Sequence, residues 1–173
     1  MSAPSPLFAA FEGSFNRPGL RVLDLACGSG RNGLWFLEQG HQVSFIDRDL
    51  SALAPQIVTH PNASCLQMDL EISPSPALGE FDVVLVFNYL HRPLFATLQA
   101  SVVAGGLMVY ETFTHEQAKL GRPRNPNFLL NDGELKQRFT GWQLLYYGED
   151  SPETRPDSPA YKARIICRKP LEN

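Results

Sequence analysis

Cysteine is scarce and scattered in this chain: Cys27, Cys65 and Cys167 are odd in number and lack the short paired spacing of a thiolate metal site. Neither a disulfide framework nor a structural metal is expected, and the pattern points to a reducing compartment with all three side chains acting as small buried hydrophobes. Long apolar runs are missing too. None approaches the ~20 residues that span a bilayer, and the opening MSAPSPLFAAFEG lacks the basic, apolar and cleavage regions of a secretory signal, so the expected location is the cytoplasm. Positive charge is not in excess either. The 15 Lys and Arg face 18 Asp and Glu, a formal net charge of -3, which leaves no broad field to hold a long nucleic acid. No internal repeat is found, and 173 residues at 43% hydrophobic content suffice for one sizeable core, so 1–173 is expected to form a single domain.

What is present is an alternation of apolar runs and helical segments. Leu20 to Leu25, Gln42 to Ile46, Ser64 to Met68, Phe81 to Phe87 and Leu107 to Tyr110 read as strands. Arg31 to Glu38, Leu50 to Val58 and Pro93 to Val103 read as helices between them, with Pro55 tolerated near a helix start. Ser73-Pro74-Ser75-Pro76 puts a loop where another helix would fall. FDVVLVF, Phe81 to Phe87, is apolar almost throughout, as suits a central strand covered on both faces. Later, Asp132 is placed to cap a helix from Gly133 to Phe139, and Trp142 to Tyr147 and Tyr161 to Cys167 read as two final strands. This order predicts an open three-layer α/β sheet, with the directions of the last strands left open.

Two segments stand apart from that alternation. The leader, residues 1–15, carries Leu7, Phe8 and Phe11 on one helical face, either to pack over an edge of the domain or to act as a lid. Thr114 to Asn131 is long and mostly irregular, which makes it the candidate substrate loop.

The chemistry concentrates in VLDLACGSGRNG, Val22 to Gly33, where a buried strand runs through Asp24 into closely spaced glycines. Gly28, Gly30 and Gly33 mark a tight turn and helix start at which a ligand can approach the backbone. Their spacing also satisfies the dinucleotide fingerprint, so an NAD-dependent oxidoreductase is the rival reading. A pyrophosphate at that turn would meet the negative charge of Asp24. An ammonium group beside a ribose, as S-adenosylmethionine presents, would be attracted to it. Asp47, ending the second strand, suits two ribose hydroxyls in either ligand class, and Asp69 with Leu70 suits the adenine amino group and ring.

These residues bring a family into view. Asp24-Leu25-Ala26-Cys27-Gly28-Ser29-Gly30 resembles the first motif of class I S-adenosylmethionine-dependent methyltransferases, and Phe81-Asp82-Val83-Val84-Leu85-Val86 resembles their fourth-strand motif. Asp47 matches the acid after strand two. Gly105-Gly106-Leu107 matches the P-G-G-x-L signature before strand five, with Ala104 in place of a proline that shapes a turn and does not reach the cofactor. More narrowly, residues 28–33, 89–94 and 111–113 are similar to the tellurite-resistance-like group of small bacterial methyltransferases. The resemblance runs from about Val22 through Glu111. It implies a Rossmann-like, seven-stranded, mostly parallel sheet with the last strand antiparallel, S-adenosylmethionine above the first strands, and an acceptor near the ends of strands four and five. It does not imply tellurite detoxification.

The implied reaction moves a methyl group from a sulfonium to an acceptor nucleophile and requires no metal. Asp24, Gly28, Gly30, Asn32, Asp47, Asp69, Leu70 and Asn88 are the expected cofactor contacts, and His91 and Glu111 the candidate bases. Tyr89, Arg92, Phe113, Arg122 and Arg124 are the expected substrate contacts. Arg92 alternatively pairs with Glu111, because a buried arginine needs an anionic partner. Arg122 and Arg124 either recognise a carboxylate or phosphate or form a solvated basic loop. A small molecule is the expected acceptor, with a peptide as the alternative, and a non-catalytic cofactor-binding sensor or assembly protein is the remaining class. Oligomeric state is not legible in the string.

Overall fold

Seven strands form one sheet in the computed structural model, in which residues 2–172 are described: β1 (Arg21–Leu25), β2 (Gln42–Asp47), β3 (Ala63–Gln67), β4 (Phe81–Phe87), β5 (Val102–Phe113), β6 (Gln143–Glu149) and β7 (Lys162–Arg168). Their order is β3-β2-β1-β4-β5-β7-β6, and every neighbouring pair is parallel except those made by β7, which runs antiparallel to β5 and β6. The expected architecture, with only the last strand reversed, is the one observed. Strand order switches direction between β1 and β4, where an open α/β sheet leaves a crevice beyond its carboxyl ends.

Strand alternation builds two cores at once. Along β4, Val83, Leu85 and Phe87 join one cluster while Val84 and Val86 join the other. The first cluster is covered by α1 (Pro6–Ala10), α2 (Arg31–Glu38) and α3 (Pro55–Val58), which contribute Phe8, Phe36 and Ile57. The opposite cluster is covered by α4 (Phe95–Ser101) and, beyond the short α5 (Gln117–Leu120), by α6 (Glu134–Arg138), which bring in Leu98 and Leu135. Among the described residues no helix is long and apolar enough to cross a membrane.

The leader packs alongside α2 and onto the sheet, where Phe8 meets Phe87 of β4. Phe8 is fully buried, stacks on Trp35 with ring centroids 5.2 Å apart and meets Phe36 edge to face at the same distance. Ser5 N donates to Asn32 Oδ1 at 3.0 Å and Arg31 reaches the Ala3 carbonyl at 2.6 Å, so the first turn of α2 holds the segment on both sides.

Several boundaries differ from expectation for local reasons. The helix expected over Leu50 to Val58 shrinks to Pro55–Val58, because a proline bars the residue before it from helical geometry and Ala54 is extended at ψ 137°. Asp132 does not cap α6; Gly133 occupies the cap in the left-handed region and its amide donates to Glu149 Oε2 at 3.1 Å. The helix expected to reach Val103 stops at Ser101, since Val102 already pairs with Phe81 and a register shift follows. The 114–131 segment is better ordered than expected: it contains α5, a 3-10 turn at Pro126–Phe128 and a bridge from Thr114 to Leu130. Cys167 is buried as expected, whereas Cys27 is half-buried and Cys65 exposed. Cys65 lies on the edge strand β3, which is exposed along most of its length.

Gly33 sets how closely α2 approaches the sheet. A Cβ there would lie 2.4 Å from the Phe45 ring and 2.9 Å from Asp24 Oδ2. Gly33→Ala is therefore expected to destabilise the fold by about 1–3 kcal/mol, read as a lower urea midpoint at unchanged slope.

Candidate active site

Each of the first five strands delivers a residue to one cleft of about 930 Å³ at the carboxyl edge of the sheet. Ala26 follows β1, Asp47 ends β2, Met68 follows β3, Asn88 follows β4 and Phe113 ends β5. A further wall comes from the 122–128 segment, with Arg122, Arg124 and Phe128. Acids gather at the β2 and β3 ends as Asp47, Asp69 and Glu71, whereas Arg122 and Arg124 stand in the loop beyond β5.

Two carboxylates shape the turn between β1 and α2. Asp24 Oδ2 accepts from the Gly33 amide at 2.8 Å, and Asp47 Oδ2 accepts from the Gly28 amide at 2.9 Å. Between those ties the backbone coils back on itself: Ala26, Gly28 and Gly30 have φ of 51°, 53° and 73°, and Gly30 N donates to the Cys27 carbonyl at 2.8 Å. Such left-handed geometry is strained for alanine and is held in place by its surroundings. The glycines divide their duties. A Cβ on Gly28 would meet nothing within 4 Å, so that stretch of backbone stands open, whereas one on Gly30 would lie 2.5 Å from Ile57 Cδ1. Burial raises the Asp24 pKa to about 7, against the opposing pull of the Gly33 amide. Burial, reinforced by Asp24 and Asp47, also pushes the Cys27 thiol up, which keeps it an unreactive neutral group.

Sequence comparison assigns residues 22–105 to a methyltransferase domain family. An uncharacterized methyltransferase of Synechocystis is 35% identical over 132 residues, 74% of this chain and 61% of the relative. The probable S-adenosyl-L-methionine-dependent methyltransferase TehB of Haemophilus influenzae is 26% identical over 144 residues, 77% of this chain and 49% of the relative. The chain thus spans roughly half to three fifths of the length of these relatives. The crystal structure of Haemophilus influenzae TehB superposes with a TM-score of 0.71 at 20% identity, over 93% of this chain and 61% of that one. The chain is thus similar to S-adenosylmethionine-dependent methyltransferases such as TehB, in sequence over a methyltransferase domain at residues 22–105 and in fold over nearly its whole length. The same fold is found in the Burkholderia thailandensis 1,6-didemethyltoxoflavin-N1-methyltransferase, with a TM-score of 0.69 at 20% identity over 95% of this chain and 77% of that one.

Within this fold the structure sorts the residues expected from sequence. Asp47, Asp69, Leu70, Asn88, Tyr89, Phe113, Arg122 and Arg124 line the cleft. Asp24, Gly28, Gly30 and Asn32 form the turn behind it, and Asn32 is buried with its side-chain oxygen engaged by the leader. His91, Arg92 and Glu111 are not among the lining residues. His91 precedes the 3-10 turn Arg92–Leu94, its carbonyl accepting from Leu94 N at 3.0 Å.

Arg92 does not pair with Glu111. Its Nε and Nη2 each lie 2.8 Å from Glu134 in a bidentate pair, and the same guanidinium donates to the carbonyls of Asn127 and Leu129. Burial opposes the charge on Glu134, but Arg92, the Asn131 amide and Arg138 outweigh it and hold its pKa down to about 2. Glu111 is claimed instead by Lys162 Nζ at 3.0 Å and Arg164 Nε at 2.9 Å, one cation to each oxygen. Lys162 also donates to Asn88 Oδ1 at 2.7 Å and sits 4.9 Å from the centre of the Phe113 ring. Glu111 thereby orients two cleft residues through Lys162.

Sequence reasoning missed Arg48, Met68, Glu71 and Phe128 on the cleft wall. Arg48 adjoins Asp47 and Met68 adjoins Asp69, so the strand-end positions themselves were the available signal. Tyr89 brings a buried hydroxyl with no hydrogen-bond partner among the described residues. Burial raises its pKa and the nearby Glu71 carboxylate adds to the effect, so it remains a neutral donor.

Two outcomes follow from these charges. Asp24 is harder to ionise folded than unfolded, so its contribution to stability is greatest in acid and is lost as pH rises from 3.8 through about 7. Asp24→Asn should abolish this loss, about 1–3 kcal/mol between about pH 5 and about pH 8 in urea unfolding. For the clamp, Arg92→Met should cost about 1–3 kcal/mol and speed amide exchange at 127–131 more than in the sheet. Uniform exchange across the chain would show that Arg92 does not fix that segment.

Proposed function

We propose that the protein is an S-adenosylmethionine-dependent methyltransferase that acts on a small-molecule nucleophile bound beside that cofactor in the cleft. The observation that carries this reading is the convergence of five successive strand ends on one space, with acids gathered at the β2 and β3 ends. The residues present fit the cofactor. Gly28 leaves open the backbone that a side chain would fill, and Asp47 and Asp69 keep unused lone pairs although each accepts backbone amides. Asp47 would hold the ribose hydroxyls, Asp69 the adenine amino group, and Leu70 and Met68 the faces of the ring. Asp24 would meet the ammonium group through its Oδ1, and Asn88 would approach the reacting end. S-adenosylmethionine supplies, when bound, a methyl group already activated on sulfur.

The chain's own contribution is therefore orientation. Asn88 is fixed by Lys162 and by its amide, which donates to the Glu111 carbonyl at 2.8 Å. Phe113 and Leu90 supply apolar wall that limits water around the reacting atoms. The cleft volume falls near the top of the ~300–1,000 Å³ found for small-molecule sites, which suits two ligands side by side. The Burkholderia thailandensis fold neighbour holds a small heterocycle, 1,6-didemethyltoxoflavin, together with S-adenosylhomocysteine. A cytoplasmic location belongs to the same reading, supported by three cysteines that all remain free thiols.

Calorimetry with S-adenosylhomocysteine tests the cofactor assignment. Asp47→Ala is expected to weaken binding by about tenfold or more, with Asp47→Asn intermediate because it keeps one acceptor oxygen. Wild-type affinity in a folded Asp47→Ala protein would remove the ribose contact.

A further inference from the structure

Arginine pairing is uneven across the molecule. Of the eleven arginines in the chain, eight place the guanidinium on a carboxylate or a backbone carbonyl. The other three, Arg48, Arg122 and Arg124, have no side-chain partner among the described residues, and all three line the same cleft. A solvated basic loop would account for Arg122 and Arg124 singly, but not for the gathering of all three unpaired guanidiniums in a single cleft.

Aromatic exposure is uneven in the same place. Of eleven phenylalanines, Phe128 alone is exposed, at 47%, and it lines the wall that carries Arg122 and Arg124. Phe113 adds a second ring to that cleft. An uncovered ring costs free energy in water, and two guanidiniums two positions apart repel one another. A flat apolar body bearing one anionic group would relieve both.

We propose that the acceptor is an aromatic carboxylate, its acid group gripped by Arg122 and Arg124 and its ring set against Phe128 and Phe113. The planar fork of a guanidinium matches the two oxygens of a carboxylate, and charge-assisted bonds of that kind are the strong ones. The segment is held ready for this. Buried Gln117 donates to the Arg122 carbonyl at 2.9 Å and accepts from Tyr161 N at 2.9 Å, while Arg92 fixes Asn127 and Leu129 from below. Preorganisation of this kind lowers the entropy lost on binding. The proposal deepens the methyltransferase reading and rests on it for the word acceptor, but the binding claim stands on the arginines and rings alone.

The test is calorimetric, with a panel of benzoates, phenylacetates and indole carboxylates, each matched by its neutral amide, by an aliphatic carboxylate and by a phenyl phosphate. Titrations run on the full chain with and without S-adenosylhomocysteine. At least one aromatic acid should bind about tenfold or more tightly than its amide. Arg122→Gln with Arg124→Gln should erase that preference and leave S-adenosylhomocysteine affinity within about twofold, and Phe128→Ala should weaken aromatic acids more than aliphatic ones. Equal affinity for acid and amide, a preference for phosphate, or an unaltered preference in the double variant would each overturn the assignment. Failure of wild-type protein to bind S-adenosylhomocysteine would strike the cofactor reading instead, and the cofactor-free titrations would still decide whether aromatic acids bind.

Discussion

A carboxylate buried at the end of β1 is tied to the first turn of α2, and the cleft inherits its shape from that tie. Asp24 accepts from Gly33 because no Cβ intervenes, and the same missing Cβ lets α2 settle against Phe45. The intervening turn must then coil through left-handed geometry at Ala26 and Gly28, which exposes the Gly28 backbone at the switch in strand order. Move Asp24, and the helix, the turn and the open backbone lose their common reference. The cost of burying it is visible in its pKa of about 7, far above that of an ordinary aspartate.

Charge is distributed so that the two halves of the site are held independently. Asp47 accepts backbone amides from the turns after β1 and β2, and Asp69 one from the turn after β3. On the other side, Glu111 links Lys162 to Asn88, while Arg164 joins Glu111 to Asp150. A separate pair, Arg92 with Glu134, anchors the far end of the 122–131 segment. Apart from the local turn bonds Asp47 and Asp69 make to Asp49 and Glu71, these anchors join residues distant in sequence, so much of the site stands on tertiary contacts.

That dependence explains what could be read from the string. Strand ends were legible because buried parallel strands are nearly continuous apolar runs, and the residues just after them, Asp47, Asp69 and Asn88, necessarily share one edge. The glycine turn was legible because its conformation restricts residue type. Pairing partners were not: Arg92 lies nineteen positions before Glu111 and forty-two before Glu134, and nothing local favours the more distant acid. Nor did periodicity reveal that Pro55 would confine α3 to one turn, or that edge strand β3 would leave Cys65 in water. Glycine spacing alone also made Gly28 and Gly30 look equivalent, and only the neighbours Ile57 and Leu53 distinguish them.

The 114–131 segment leaves the sheet and returns to the same point. Thr114 bridges Leu130, Leu130 N donates to the Phe113 carbonyl, and His115 N donates to the Leu130 carbonyl. Its two ends are therefore stapled together at the tip of β5. Residues inside such a closed excursion can be exchanged during evolution without disturbing the strands that frame the cleft, so one wall of that cleft can be remade while the others stay the same.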